Sequence, residues 1–383
     1  MDSIYLDNNA TTVIDADVVQ AMSDAHRLRY VNPASQHEPG RRSRKRLELA
    51  REKIARPLGG DVSAVNGDQL VLTSGGTEAN NLAIFGLTQR RAGAVAVSAV
   101  EHPSVLEAAA ALAESGREVI VLPVDQRGVV DIEFCGSAFA QQNIALVSVM
   151  LANHETGALQ PVPTIAGLAR RNGALMHTDA VQAVGKIAVD VVELGVDALT
   201  FSTHKIHGPR AFGGLLLRPG VTVEPRLFGG AQQFGLRPGT ECVATAIGGE
   251  TAVEKACREQ LVRGAEMAAL RDRLEANLDA DCPSVSVNGG ATTRLPNTSN
   301  VAFPGLDRQA LLMALDIEGV AAATGSACSS GSSEPSTVLA AMGLGDEIIG
   351  SSLRFSISPR TTREEIDRAS ATIARVARRL SGG

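Results

Sequence analysis

Between residues 69 and 218 the chain repeats one pattern: a short β-branched and aliphatic run, then a longer stretch with helical spacing. The runs are Gln69–Thr73, Ala94–Val100, Glu118–Leu122, Ile144–Leu151, Ala174–Thr178, Ala198–Ser202 and Gly214–Arg218. Most are continuously apolar, as strands are when both faces of their sheet are covered. The stretches Thr77–Gly86, Ser104–Ser115 and Pro163–Arg171 read as covering helices. The alternation predicts an α/β fold with a mainly parallel central sheet wrapped by helices. It also says where to look for chemistry, because ligands in such sheets bind beyond the carboxyl ends of the strands.

Near Gly248 the texture changes. A long helical stretch, Glu250–Leu278, leads to short strands at Val285–Asn288 and Ser299–Phe303 and a helix at Asp307–Ile317. A Gly/Ser-rich loop at Thr324–Ser333, a strand at Leu353–Ile357 and a terminal helix from Arg363 follow. We expect a large domain over 14–248 and a smaller α+β domain formed by 1–13 plus 249–383.

Composition removes several classes of function. With 383 residues, 44% of them hydrophobic, the chain can bury a large core without disulfides or a structural metal. The net charge of −6, the absence of Trp and an aromatic content of 3% argue against a nucleic-acid partner. No apolar run approaches the roughly 18 residues of a membrane helix, and the N-terminus lacks a basic region followed by an apolar one, so neither membrane nor secretion is expected. Cys135, Cys242, Cys257, Cys282 and Cys328 are widely spaced with no CxxC, which argues against a disulfide framework or a zinc site. That usage fits a reducing, cytoplasmic compartment.

The residues that follow the strands are the informative ones. Lysine is scarce: Lys45, Lys53, Lys186, Lys205 and Lys255 are the only five. Four of them read as solvated charges on helices or loops. Lys205 follows Ala198–Ser202 directly, in Ser202-Thr203-His204-Lys205, where a lone amine is placed to join an aldehyde cofactor. After Gln69–Thr73, the run Ser74-Gly75-Gly76-Thr77 leads into a helix whose first N–H groups suit a phosphate. Asp179, after Ala174–Thr178, could hold a pyridine nitrogen protonated. His102, after Ala94–Val100, could stack on a flat ring and relay protons. Taken singly, each has a plainer reading: a loop lysine, a glycine turn, an N-cap aspartate, a loop histidine. His177, Asp179, His204 and His207 could also be read as metal ligands, but His-x-x-His in a loop is a poor ligand pair. Jointly, a phosphate cradle, a carboxylate, a stacking ring and an amine on one sheet edge match what pyridoxal 5'-phosphate needs.

In this order the motifs resemble those of the NifS/IscS-type cysteine desulfurases, class V aminotransferases of pyridoxal-phosphate fold type I. The resemblance runs through Tyr5–Thr12, Asn32–His37, Ser74–Asn81, Glu101-His102, His177–Gln182, Ser202–Lys205, Ser326–Gly331, Glu334–Ser336, Leu353–Ser356 and Thr361–Asp367. It implies that Lys205 carries the cofactor, with Gly76, Thr77, Ser202 and His204 on its phosphate. Thr240 would reach the phosphate of a second subunit in a homodimer. Asp179 would pair with the ring nitrogen, Gln182 with the ring hydroxyl, and His102 would stack and shuttle protons. Asn153 and His154 would contact cofactor and substrate, and Arg354 would hold the substrate carboxylate.

Cys328, between small residues in the Gly/Ser loop, would be the nucleophile, turning L-cysteine into L-alanine and a persulfide for a sulfur-acceptor protein in iron–sulfur assembly or thiolation. A selenocysteine lyase, a cysteine-sulfinate desulfinase and a plain aminotransferase are the enzymatic alternatives. The chain departs from the family at His154, where Asn is usual, and at Ala231, Gln233, Pro238 and Cys242.

Overall fold

The computed structural model describes residues 3–282, 284–325 and 334–382. The repeated pattern builds a seven-stranded sheet in the order Gln69–Thr73, Gly213–Leu217, Ala198–Ser202, Leu175–Asp179, Ile144–Ser148, Ala94–Ser98, Val119–Leu122. Neighbours run parallel except at Gly213–Leu217, which is antiparallel to both of its partners. The uniform apolarity of the runs has its cause in two-sided cover. Helices Gly76–Thr88 and Pro103–Glu114 bury Leu82, Ala83, Val105 and Leu112 against one face. Glu38–Ala55, Ile132–Gln141 and Val162–Arg171 bury Leu47, Ile54, Phe139 and Ile165 against the other.

Two long apolar runs outlast their strands: Ala94–Val100 is a strand only to Ser98. Ile144–Leu151 ends as a strand at Ser148, and its continuation supplies Met150 to a cavity wall. A buried loop beneath a ligand site needs apolar residues just as a strand does, so hydrophobicity alone does not mark the end. The long helix starts earlier than expected, at Val243, and runs to Asp281. Gly248 and Gly249 lower helix propensity but are needed for close packing: a Cβ at Gly249 would lie 2.2 Å from Cε1 of Phe212.

That helix serves two cores. Val243, Ile247, Val253 and Ala256 belong to the large core, and Met267, Leu274 and Leu278 to a second one. The expected boundary at 248/249 therefore falls inside a continuous helix. The second core packs the terminal helix Arg363–Ser381, which opens with a Thr362/Glu365 capping box, on an antiparallel sheet. That sheet has Thr298–Ala302 between Ser286–Val287 and Ser352–Ser356. Ile4–Tyr5 pairs in parallel with Val320–Ala321, and Ile4 and Leu6 enter the same core. Among the described residues no helix is long and apolar enough to cross a membrane.

Two devices hold the edge of the large sheet nearest the site. The Gln233 amide accepts from Leu72 N at 2.7 Å and donates to Leu72 O at 2.9 Å, occupying an edge that would otherwise offer unpaired groups. Gly213 lets the neighbouring strand approach the Gly75 turn, since a Cβ there would lie 2.5 Å from Phe201 O and 3.0 Å from Gly75 Cα. Both obstacles are backbone and cannot rotate away. Gly213→Ala should therefore cost about 1–3 kcal/mol of stability, read as a lowered thermal midpoint, and displace the Gly75–Gly76 turn.

Candidate active site

Strand ends, a helix N-terminus and the N-terminal segment close around a cavity of about 240 Å³. Its far end is the first turn of Gly76–Thr88. Gly75 has φ +149°, a conformation that favours glycine, and a Cβ on Gly76 would lie 2.9 Å from Val181 Cγ2. The turn thus presents backbone N–H groups to the cavity, with Thr77, Ser202 and His204 beside them. Burial first, then the Lys205 charge, pushes His204 down to about 4, so its ring is neutral near pH 7.

Asp179 ends its strand buried in the cavity wall. Its Oδ1 accepts from Val181 N at 2.9 Å and its Oδ2 from Asn80 Nδ2 at 2.7 Å. The same Asn80 Nδ2 reaches Ser104 Oγ at 2.9 Å, and Ser104 Oγ lies 2.8 Å from His102 Nδ1. His102 caps helix Pro103–Glu114, and its Nδ1 accepts from Ser104 N at 3.1 Å. An Nδ1 that accepts a backbone N–H leaves the proton of the neutral ring on Nε2. One hydrogen-bonded chain therefore joins the carboxylate to the histidine.

Behind Asp179 lies Glu101, fully buried, accepting from Ser98 Oγ at 2.5 Å and from Met150 N at 2.7 Å. Burial, with Asp179 adding to it, pushes its carboxyl up to about 8. Held protonated near neutrality, it adds no second negative charge beside Asp179.

Lys205 Nζ donates to the carbonyls of Asn9 and Ala10 at 2.6 and 2.7 Å, which seats the amine at the cavity. Arg354, 1% exposed, donates from Nη2 to Asp7 Oδ1 at 2.7 Å and from Nη1 to His154 O at 3.1 Å, while its Nε finds no partner among the described residues. His154 stands edge-on to His102 with ring centroids 5.4 Å apart. Neither of its ring nitrogens makes a hydrogen bond among the described residues, though Nε2 lies 3.7 Å from Glu155 Oε1. Burial, then the charges of His102, Arg354 and Lys205, holds the His154 ring well below the usual histidine range.

Gly76, Thr77, His102, His154, Asp179, Gln182, Ser202, His204, Lys205 and Arg354 are thus brought to one cavity. Asn153 is not: its Nδ2 donates to Val100 O at 3.0 Å and its Oδ1 accepts from Glu155 N and Thr156 N at 2.9 Å, so the side chain builds the turn and His154 faces the cavity. Thr240 lies exposed, away from this cavity, before the long helix. Cys328 falls outside the described residues. The metal reading does not fit His177, whose nitrogens meet Ser148 Oγ at 2.8 Å and Thr200 Oγ1 at 3.0 Å inside the sheet. Among the described residues no three His, Cys, Asp or Glu side chains converge.

Lys186, expected as a solvated charge, is instead buried beside the site. Its flanks, Val184-Gly185 and Ile187, carry the signal of a buried segment. Asn80 is also new. It follows Thr77 by three residues on the same helix, the spacing that puts two side chains on one face.

The comparisons with known proteins agree with this geometry. The aminotransferase class-V family model matches residues 4–369. The cysteine desulfurase NifS of Azotobacter vinelandii is 42% identical over 370 residues, covering 96% of this chain and 91% of its own. The chain belongs to the NifS/IscS-type cysteine desulfurases of the class-V aminotransferase family. The cysteine desulfurase IscS of Dictyoglomus turgidum is 39% identical, covering 98% of this chain and 95% of its own. A NifS-like protein from Rickettsia africae superposes with a TM-score of 0.90 at 31% identity, covering 98% of this chain and 99% of that one. Members of this desulfurase family use pyridoxal phosphate, and the mainly parallel sheet is that of fold type I.

Two outcomes follow for this desulfurase. Asn80→Ala removes a hydrogen bond to a carboxylate, worth about 1.5–3 kcal/mol, and titration of the apoprotein should show cofactor binding weakened roughly tenfold or more. Glu101 binds its proton more tightly folded than unfolded, so the wild type loses stability as pH rises from the ordinary value of 4.5 through about 8. Glu101→Gln should not. Its melting midpoint should gain on the wild type across that interval and keep a constant offset from it above.

Proposed function

We propose that this cysteine desulfurase removes sulfur from L-cysteine, leaving L-alanine and a persulfide on Cys328, and hands the sulfur to an acceptor protein for iron–sulfur assembly or thiolation. One observation carries the reading of the site: among the described residues, the His154 ring and Arg354 Nε keep buried, unpartnered nitrogens in the same cavity as the Lys205 amine and the Asp179 carboxylate. Buried polar atoms are normally paired, so these call for a ligand rich in hydrogen-bonding groups. The helix N-terminus, the amine and the carboxylate fit the phosphate, aldehyde and ring nitrogen of pyridoxal 5'-phosphate.

Gly76 N–H, Thr77, Ser202 and His204 would hold the phosphate, and Thr240 of a second copy would complete it in a homodimer. Lys205 would hold the aldehyde carbon through its amine, Asp179 would accept from the ring N–H, and Gln182 would donate to the ring hydroxyl. When bound, the cofactor supplies the electron sink that lets the substrate Cα lose its proton and the C–S bond open. His102, with Nδ1 kept as an acceptor by Ser104, would stack on the ring with its proton on Nε2, and the freed Lys205 amine would be the base that takes the Cα proton. Arg354 would bind the substrate carboxylate through Nε and Nη, and neutral His154 would add one N–H without adding charge.

The Cys328 thiolate would attack the substrate sulfur: an S–S bond forms, the C–S bond breaks with its electron pair left on carbon, and a proton completes alanine. Cysteine plus thiol give alanine plus persulfide, so the step needs no oxidant. A thiol in this role suits a reducing, cytoplasmic setting.

Cys328→Ala tests the assignment. The variant should keep its cofactor and yellow colour, while alanine and sulfide formation from L-cysteine should fall at least about 10³-fold. Sulfur release at the wild-type rate would remove Cys328 from the mechanism.

A further inference from the structure

Lys186 sits four residues after Gln182, with 7% of its surface exposed. Its Nζ donates to Gln182 Oε1 at 2.7 Å and to Asn9 Oδ1 at 3.1 Å. Both acceptors are neutral amide oxygens. Among the described residues the charged groups acting on the amine are Lys205 and Arg354, and His207 and Arg263, the latter from the long helix, line a small cavity with it. None of these is a carboxylate. Burial first, then the Lys205 and Arg354 charges, holds the amine well below the ordinary lysine range. An uncharged amine has two N–H groups, which its two acceptors satisfy, whereas an ammonium has three.

The consequence lies in the two amides. An amide can present either end to a neighbour, and its hydrogen-bond partners decide which. With Gln182 Oε1 taken by Lys186, Gln182 Nε2 is the end turned to Asn9 O, at 3.1 Å, along the cavity. Asn9 Oδ1 is shared by Lys186 and by Asn297 at 3.0 Å, so Asn9 Nδ2 points to Thr298 Oγ1 at 2.9 Å and His154 O at 3.2 Å. The carbonyl of the same Asn9 seats the Lys205 amine.

We propose that Lys186 is a positioning residue of the desulfurase site, an uncharged amine whose two hydrogen bonds fix the amides of Gln182 and Asn9 so that Gln182 turns its N–H end to the cofactor. This rests on the cofactor reading given above, but its first test does not. A lysine neutral in the folded state and charged in the unfolded state weakens the protein increasingly as pH falls below the unfolded lysine pKa. Melting midpoints of the apoproteins should therefore show Lys186→Met ahead of the wild type at pH 7, with the gap shrinking toward pH 10. Lys186→Arg, permanently charged, should be the least stable at every pH. A gap between Lys186→Met and wild type that does not change with pH would overturn the uncharged amine, and Lys186→Gln serves the same comparison if Lys186→Met fails to fold.

The second test uses the loaded enzyme. Gln182→Leu and Lys186→Met should each shift the pH titration of the bound cofactor's absorbance and weaken cofactor binding about tenfold, and the double variant should show no more than either alone. Effects that add in the double variant would mean that Lys186 does not act through Gln182. A wild-type protein that takes up no pyridoxal phosphate would defeat the cofactor reading and leave the apoprotein comparison standing.

Discussion

Every hydrogen-bonding group of Asn9 is occupied, and through it three distant parts of the chain meet. Its N–H donates to Ser356 Oγ at 2.8 Å on a strand of the small sheet. Its carbonyl receives Lys205 and Gln182 from the large sheet's strand ends, and its side chain joins Lys186, Asn297, Thr298 and the His154 carbonyl. The N-terminal segment is thereby a strap between the two cores. A buried polar cluster of this kind rigidifies only when each member is satisfied, and beside it Arg354 Nε and the His154 ring nitrogens, without partners among the described residues, belong to cavity-lining side chains. The amine, the arginine and the unpaired imidazole owe their positions to one short stretch, Asp7–Thr12.

Electrostatics at the site is arranged by neutral groups as much as by charged ones. His154, His204 and Lys186 are all pushed toward their uncharged forms by burial next to cations, and Glu101 toward its own by burial next to Asp179. A cavity that takes an anionic ligand would ordinarily gather positive charge. Instead the chain leaves few groups to carry it, principally Lys205 and Arg354, and surrounds them with donors that need no counter-ion. This limits the desolvation cost of the site, which grows steeply with each buried charge.

His154 stands where the family resemblance leads one to expect an asparagine. The exchange keeps a donor at the cavity wall and adds an aromatic edge against His102. Asn153, one residue earlier, shows why motif and role part company within a single tripeptide. Its amide is consumed by the turn that aims the histidine, so the neighbour that looks equally polar in sequence contributes geometry and no direct contact.

Periodicity by itself determined the parallel sheet and its two-sided cover, and with them the placement of Lys205, Asp179, His102 and the Gly75–Gly76 turn. Those residues lie at or just beyond strand ends, and a strand's end is a local property of apolar runs and small residues. Tertiary structure alone decided the burial of Lys186, the Asn80 link between Asp179 and His102, the turning of Asn153 away from the cavity, and the division of one helix between two cores. Each depends on a partner tens to hundreds of positions away or on which end of an amide meets a neighbour. Local spacing carries no record of such contacts.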